Sequence, residues 1–385
     1  MRFIQPLSLY IVLTMSWQVL QAQTHYFPPK ALEWETRKAV DFGLNQNKLD
    51  AAVSFAKENE YSGSKDLRIA ILKGFAREPF HSLLGPTKKR GGPGGLILKN
   101  GYIIAEWGDT ERVDMTFSVT KSYLSTVAGL AVDRALFKTD QLLSQYVWDS
   151  TFEGEHNSKI RWKHLLNQSS DWSGSLWDIK DWADRPPKEG GLDAWKNRTL
   201  NEPGTYYKYN DVRVNLLAYS LLQVWRKPLP QILKEYIMDP IGASSTWRWY
   251  GYENSWVNVD GNWVQSVSGG GHSGGGLFIS AKDHARFGLL FLNNGNWDGK
   301  QLLSPEWIKE ATSPSPANPS YGYLWWLNNP ESNRYVKKAG KDMYYAAGFG
   351  GNYIVILPKY DTVIITRWLE PSEMKNFVGK VLEAY

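Results

Sequence analysis

Cysteine is absent from the 385 residues. That excludes a disulfide framework, a thiol nucleophile and tethering through a lipidated N-terminal cysteine, so stability has to come from core burial. Histidine is scarce, with six copies. They form neither a helical His-x-x-x-His pair nor a Cys-containing metal pattern, so no metal or other cofactor is expected. A basic stripe is missing as well. The formal charge of +5 comes from scattered side chains. The cluster Lys88-Lys89-Arg90 lies in a Gly/Pro-rich stretch and reads as a solvated loop, and no nucleic-acid partner is expected.

Long apolar runs are also lacking. Residues 1–22 carry Arg2, an apolar run from Leu7 to Leu20 and a small Ala22 before Gln23. This is the pattern of a secretory signal peptide. Ser16 and Gln18 interrupt the run, which falls short of the roughly 20 residues of a spanning helix. Export to the periplasm or medium is expected, with no membrane span after cleavage and residues 23–385 forming one catalytic unit. Tryptophan, by contrast, is abundant at 19 residues. No repeat period organises it, which leaves a large aromatic core or an aromatic-lined cleft.

Helical spacing of Leu49, Ala52, Val53 and Ala56 predicts a helix over 47–60. Leu96-Ile97-Leu98 and Tyr102-Ile103-Ile104 flank Lys99-Asn100-Gly101, and an Asn-Gly pair between apolar runs predicts a hairpin. From Ser118 to about Trp249 the chain reads as helices and loops, with helices at Ser122–Leu136, Ile160–Leu166 and Val212–Val224. The predicted face of the first is Leu124, Val127, Ala128, Ala131 and Ala135. A helix follows at Lys282–Leu292, then strands at Tyr321–Trp326, Tyr353–Leu357 and Thr362–Trp368, and a closing helix at Ser372–Ala384. The expected class is α+β. An antiparallel sheet drawn from both chain ends (about 45–117 and 266–385) is flanked by helices and carries an inserted, mainly helical lobe (about 118–265).

A serine hydroxyl needs a base within hydrogen-bond reach, and a lysine amine lowered in pKa by burial is expected to be that base. Ser-x-x-Lys at a helix start supplies one, because residues three apart share a helical face. The pattern occurs four times: Ser54/Lys57, Ser62/Lys65, Ser118/Lys121 and Ser372/Lys375. Ser54 lies within an amphipathic helix, Ser62 in a polar loop, and Ser372 reads as an ordinary cap. Ser118 follows apolar Met115 and Phe117 and precedes a long apolar-faced helix, so it is either a nucleophile or an N-cap. Gly271-His272-Ser273-Gly274-Gly275 matches the Gly-x-Ser-x-Gly elbow of α/β-hydrolases. The strand before it is poor, Leu277–Ile279 looks extended rather than helical, and no histidine follows His284. These glycines read instead as a tight turn entering a strand, and no histidine stands in an evident triad.

Phe117-Ser118-Val119-Thr120-Lys121-Ser122 resembles the nucleophile motif of the class C β-lactamase, penicillin-binding protein and esterase superfamily. The resemblance runs from about Lys48 to Trp368. It takes in Ile160–Leu166 with Ser169-Ser170-Asp171-Trp172, Tyr209-Asn210-Asp211 before a helix, and Gly274–Leu277 through Gly288. It implies a serine hydrolase with the β-lactamase/transpeptidase-like fold. Tyr209 would contact Ser118 and Lys121 and shuttle the proton to the leaving group, with Asn210 and Asp211 in support. Asp211 stands where the pattern has Asn. A carboxylate there would raise the lysine pKa and move the base role towards Tyr209.

The third motif, usually Lys- or His-x-Gly, is here Ala346-Ala347-Gly348. The cation is missing, but the backbone amides of Ser118 and Phe349, beside Gly348, are left to form an oxyanion hole. This absence points to an ester or amide substrate, small or oligomeric, rather than a β-lactam or D-Ala peptide. A non-catalytic binding module on the same fold is the remaining reading. Trp172, His272, Trp325 and Trp326 are expected to line the cleft. Oligomeric state is not encoded legibly.

Overall fold

The computed structural model describes residues 25–385 apart from 31–32 and 189–190; the signal segment at 1–22 lies outside the described residues. Among the described residues no helix is long and apolar enough to cross a membrane.

The first helix, α1 (Gln46–Glu58), begins where the Asn45 side chain accepts the amide of Lys48, and it buries Leu49, Ala52 and Ala56. After α2 (Leu67–Gly74) come β1 (Gly94–Lys99) and β2 (Tyr102–Trp107). Asn100 and Gly101 join them with φ of 51° and 85°. These are the left-handed conformations a tight hairpin requires. A two-residue β3 (Asp114–Met115) leads through a 3-10 turn at Phe117–Val119 into α3 (Thr120–Asp133). The helix α4 (Trp162–Leu166) follows, then α5 (Asp211–Trp225), opened by the Asn210 side chain on the Arg213 amide. Strands β4 (Arg248–Val259), β5 (Asn262–Val267) and β6 (Gly276–Ile279) precede α6 (Ala281–Leu292). The chain closes with β7 (Trp326–Leu327), β8 (Tyr344–Gly348), β9 (Asn352–Leu357), β10 (Thr362–Arg367) and α7 (Met374–Val381).

The main sheet has the order β7-β8-β9-β10-β1-β2 with antiparallel pairing throughout, so both chain ends build it. One face carries Ile354, Ile356, Val363 and Ile365 into a core shared with α3, α5 and α6. The other face, with Val355, Leu357 and Ile364, is covered by α1 and α7. This is the expected α+β, β-lactamase/transpeptidase-like arrangement.

Four details differ from the sequence reading. The region between 118 and 265 holds the β4–β5 hairpin, which joins β6 and β3 in a second sheet of order β3-β6-β4-β5. Exposed Trp256 and Trp263 on that hairpin obscured its strand pattern. Helix α3 is buried at every position from Thr120 to Ala131 rather than along one face, because it threads between the two lobes. Ala135, at φ 55°, lies beyond its end. Of Tyr321–Trp326, only Trp326 enters the sheet. Arg90 is not solvated: it is buried, ion-paired with Glu60 at 2.6 Å and bonded to the carbonyls of Tyr61 and Gly63.

Gly288 lets α6 settle on the sheet. A Cβ there would lie 2.6 Å from a Val363 methyl and 3.2 Å from one of Ile354. Gly to Ala in a helix ordinarily gains about 1 kcal/mol. A β-branched residue loses most of that gain and overpacks the seam by about 1–3 kcal/mol. Gly288→Val is therefore expected to destabilise by about 2 kcal/mol, read from the urea unfolding midpoint; an unchanged midpoint would show that the seam repacks freely.

Candidate active site

Ser118 lies in the 3-10 turn that leads into α3, and Phe117 before it adopts φ 49°. A bulky residue in the left-handed region is strained and persists only where its surroundings fix it. The Phe117 ring packs against Phe349 at 5.0 Å and Trp368 at 6.4 Å. Beneath the turn, Thr116 Oγ1 lies 2.8 Å from His284 Nε2 and accepts from Arg367 at 3.0 Å. Burial, reinforced by Arg367, holds His284 well below its usual pKa, so it is a neutral structural acceptor. The turn thus leaves Ser118 partly exposed on a cavity of about 410 Å³, while Phe117 and Val119 are buried.

Lys121 points back from the first turn of α3 and is 1% exposed. Its Nζ donates to Ser118 Oγ at 2.8 Å and to Gly269 O at 3.2 Å, and lies 2.7 Å from Asp211 Oδ1. Two hydrogen bonds and the close ion pair with Asp211 surround the nitrogen, the environment of an ammonium. The electrostatics agree. Burial pulls the amine pKa down, but the Asp211 carboxylate, Tyr209 and the hydrogen bond to Asp211 outweigh it, and the net displacement is upward. The side chain is a cation at neutral pH.

Asp211 is buried at the first position of α5. Arg185 reaches it at 2.8 Å and His272 Nδ1 at 3.1 Å. Burial would push its carboxyl up, but Arg185, Lys121 and His272 together hold it well below the usual carboxylate range. Arg185 also pairs with Asp184 at 2.6 Å, and His272 Nε2 with Glu78 at 2.6 Å. Burial lowers the His272 pKa, yet the hydrogen bonds to Asp211 and Glu78 win and raise it to about 9. Glu78, Asp184 and His272 lie close enough to suggest a metal cluster. The donor set argues otherwise, because the imidazole is protonated between carboxylates and Asp184 already holds Arg185.

Two glycines make this packing possible. A Cβ on Gly271 would meet the Asp211 carboxylate at 2.8–2.9 Å. A Cβ on Gly348, at the end of β8, would come within 2.2 Å of Thr116 O and 3.3 Å of the Ser118 amide. The sheet edge therefore abuts the nucleophile turn only because position 348 has no side chain. Ala346 is buried with Ile354 in the core, so no cation stands at that position of β8.

Tyr209 immediately precedes the Asn210 cap and lines the same cavity as Ser118. Its ring lies 5.2 Å from Lys121 Nζ and 5.0 Å from the Arg185 guanidinium, and it stacks on Trp326 at 5.9 Å. Asn210 does not face the reacting groups; its side chain caps α5 and donates to Asp181 O at 2.8 Å.

Ser118, Tyr209, Asp211, His272, Trp326, Gly348 and Phe349 all border the cavity, and Lys121 lies just beneath. Trp172 and Trp325 do not. Trp172 is buried with its indole donating to Thr151 O at 2.8 Å, and Trp325 packs in the core against Phe291 and Tyr344. Apolar burial claimed both. Arg185, Glu78 and Asp184 were missed by sequence reasoning, since no motif marks them. The rival serines fall away: Ser54 is exposed and Ser62 bonds Glu370. Ser273 sits in the turn entering β6.

A family model described as Beta-lactamase matches residues 107–367, more than half of the chain. The chain belongs to this family of serine hydrolases. Among its relatives is the 6-aminohexanoate-dimer hydrolase of Paenarthrobacter ureafaciens, 21% identical over 316 residues, with 72% of this chain and 73% of the relative covered. Two solved structures share the fold. The β-lactamase/D-alanine carboxypeptidase of Pseudomonas syringae matches with a TM-score of 0.56 at 13% identity, covering 87% of this chain and 98% of that one. EstCE1, a hydrolase with promiscuous acyltransferase activity, matches with a TM-score of 0.57 at 16% identity, covering 88% of this chain and 98% of that one.

The His272 cation carries a stability signature. The unfolded chain titrates it near 6.5 and the folded one near 9. Its contribution of roughly 3 kcal/mol is therefore complete below pH 6.5 and disappears as pH rises through about 9. The Tm of the wild type is expected to fall more steeply than that of His272→Gln between pH 6.5 and 9. Parallel Tm profiles for the two proteins would contradict a protonated His272.

Proposed function

We propose that this chain is an exported hydrolase that cleaves an ester or amide through an acyl-enzyme on Ser118. The observation carrying the reading is the half-exposed Ser118 hydroxyl held at 2.8 Å by a buried lysine on the floor of a cavity, in a chain of the β-lactamase family. Because the Lys121 cation donates to Oγ, the serine proton is free to be given elsewhere. Tyr209 is the titratable group on the same cavity wall suited to take it.

In the forward step Ser118 Oγ attacks the carbonyl carbon, and the Tyr209 phenol takes the serine proton as it hands its own to the leaving oxygen or nitrogen. Charge on the carbonyl oxygen is met by the backbone amides of Ser118 and Phe349. The carbon–leaving-group bond then breaks, and the protonated leaving group departs with Tyr209 again a phenol. Water attacks the acyl-enzyme by the same route in reverse, releasing the acid and restoring the Ser118 hydroxyl. Lys121 stays charged throughout and stabilises the developing alkoxide. The buried Ala346 supports an ester or amide over a β-lactam, since the usual anchoring cation of the third motif is absent.

Hydrolysis of short-chain p-nitrophenyl esters tests the assignment. Ser118→Ala is expected to reduce turnover to background. Tyr209→Phe should lower kcat by roughly 10²–10⁴-fold while KM changes little. Wild-type kcat in Tyr209→Phe would remove the tyrosine from the proton path. Stoichiometric labelling of the wild type by a fluorescent penicillin would favour the β-lactam reading instead.

A further inference from the structure

The charges around Ser118 balance except for one. Glu78, Asp184 and Asp211 are matched by Lys121, Arg185 and His272, each in contact with a partner of opposite sign. Arg334 lines the same cavity and makes no ion pair among the described residues. The carboxylate of Glu370 is occupied by the Ser62 amide at 3.1 Å and hydroxyl at 3.0 Å.

Arg334 is also held in place. Asn328 closes its loop, accepting from the Val336 amide at 2.9 Å and donating to Val336 O at 3.0 Å and Gly340 O at 2.6 Å. The guanidinium lies 5.4 Å from the centre of the Trp326 ring, whose indole stacks on Tyr209. A guanidinium over an aromatic face, with one N–H shared with the Tyr345 hydroxyl, still presents further in-plane N–H donors that fit a carboxylate. Tyr61, Phe75 and Phe117, which also line the cavity, pack around Phe349 with ring centroids 5.0–5.7 Å from it and supply an apolar aromatic surface.

We propose that Arg334 is a specificity-determining residue that binds a carboxylate carried by the leaving group. The preferred substrate is then an ester or amide of an uncharged, apolar acyl group with a hydroxy- or amino-acid half. The placement follows from Tyr209: the group that receives the Tyr209 proton departs on the Tyr209–Trp326 side, where Arg334 stands. This rests on the acyl-enzyme reading above. Hydrolysis breaks the acyl–oxygen or acyl–nitrogen bond, adds water, and releases an apolar acid and the hydroxy- or amino-acid.

Two esters of similar leaving-group reactivity test it: 4-butyryloxybenzoate, anionic, and 4-acetylphenyl butyrate, neutral. Wild type is expected to favour the anionic ester in kcat/KM by about ten-fold, the worth of one charged hydrogen-bonded contact made by an exposed arginine. Arg334→Ala should abolish that preference, mostly through KM. Arg334→Lys should keep part of it and Arg334→Glu should reverse it. Equal kcat/KM for the two esters in wild type, or a proportional loss on both in Arg334→Ala, would overturn the proposal.

Binding of 4-butyryloxybenzoate to Ser118→Ala, followed by tryptophan fluorescence, separates this from the nucleophile assignment. Adding Arg334→Ala should weaken that binding about ten-fold. Unchanged binding sinks the Arg334 role even if Ser118 is the nucleophile. Persistent turnover in Ser118→Ala removes the nucleophile assignment while the Arg334 effect on binding is still read. If neither ester is turned over, the binding comparison alone decides.

Discussion

A lysine and an aspartate, both almost wholly shielded from water, lie 2.7 Å apart beneath the Ser118 turn. Taking two charges out of water costs several kcal/mol per ion, and only close pairing with full hydrogen bonding offsets it. The surroundings are built to that demand. Lys121 donates to Ser118 and Gly269 and pairs with Asp211, while Arg185 and His272 close on Asp211 and carry Glu78 and Asp184 with them. Removing any one member would strand a buried charge, which is why the cluster behaves as a unit. The helices α3 and α5, Gly269–Gly271 and the loop bearing Arg185 meet at this point, so the ion cluster ties these segments together.

The same constraint decides the chemistry. A lysine that is charged and closely paired is an electrostatic organiser: it orients Oγ and favours its alkoxide, but it has no lone pair with which to take a proton. On the proposed acyl-enzyme reading the proton path then falls to Tyr209, whose ring lies 5.2 Å from the Lys121 nitrogen. Strain at Phe117 and the bare Gly348 complete the arrangement by presenting the hydroxyl and the sheet edge to one cavity.

Much of the fold was legible because it rests on local signals. The Asn100-Gly101 turn, the spacing in α1 and α6, and the apolar runs of β9 and β10 each carry their own periodicity or turn chemistry. The β4–β5 hairpin was not legible, since exposed tryptophans blur its alternation. Ser118, Lys121, Tyr209 and Asp211 could be named because three of them sit at helix starts and the spacing of a family motif links them. Arg185, Glu78, Asp184 and Arg334 come from loops and a helix end whose approach is set by tertiary packing alone. Trp172 and Trp325 were misplaced for the complementary reason: composition shows that aromatics are plentiful, but not which ones the core absorbs.

The charge on Lys121 is directly observable. With lysine labelled at ¹³Cε and the Lys121 resonance assigned by comparison with Lys121→Arg, an NMR titration from pH 6 to 9 reads its protonation. The Asp211 pairing requires the shift of a charged ammonium across that whole range. A resonance that titrates to the neutral amine below pH 8 would contradict the account and return the base role to the lysine.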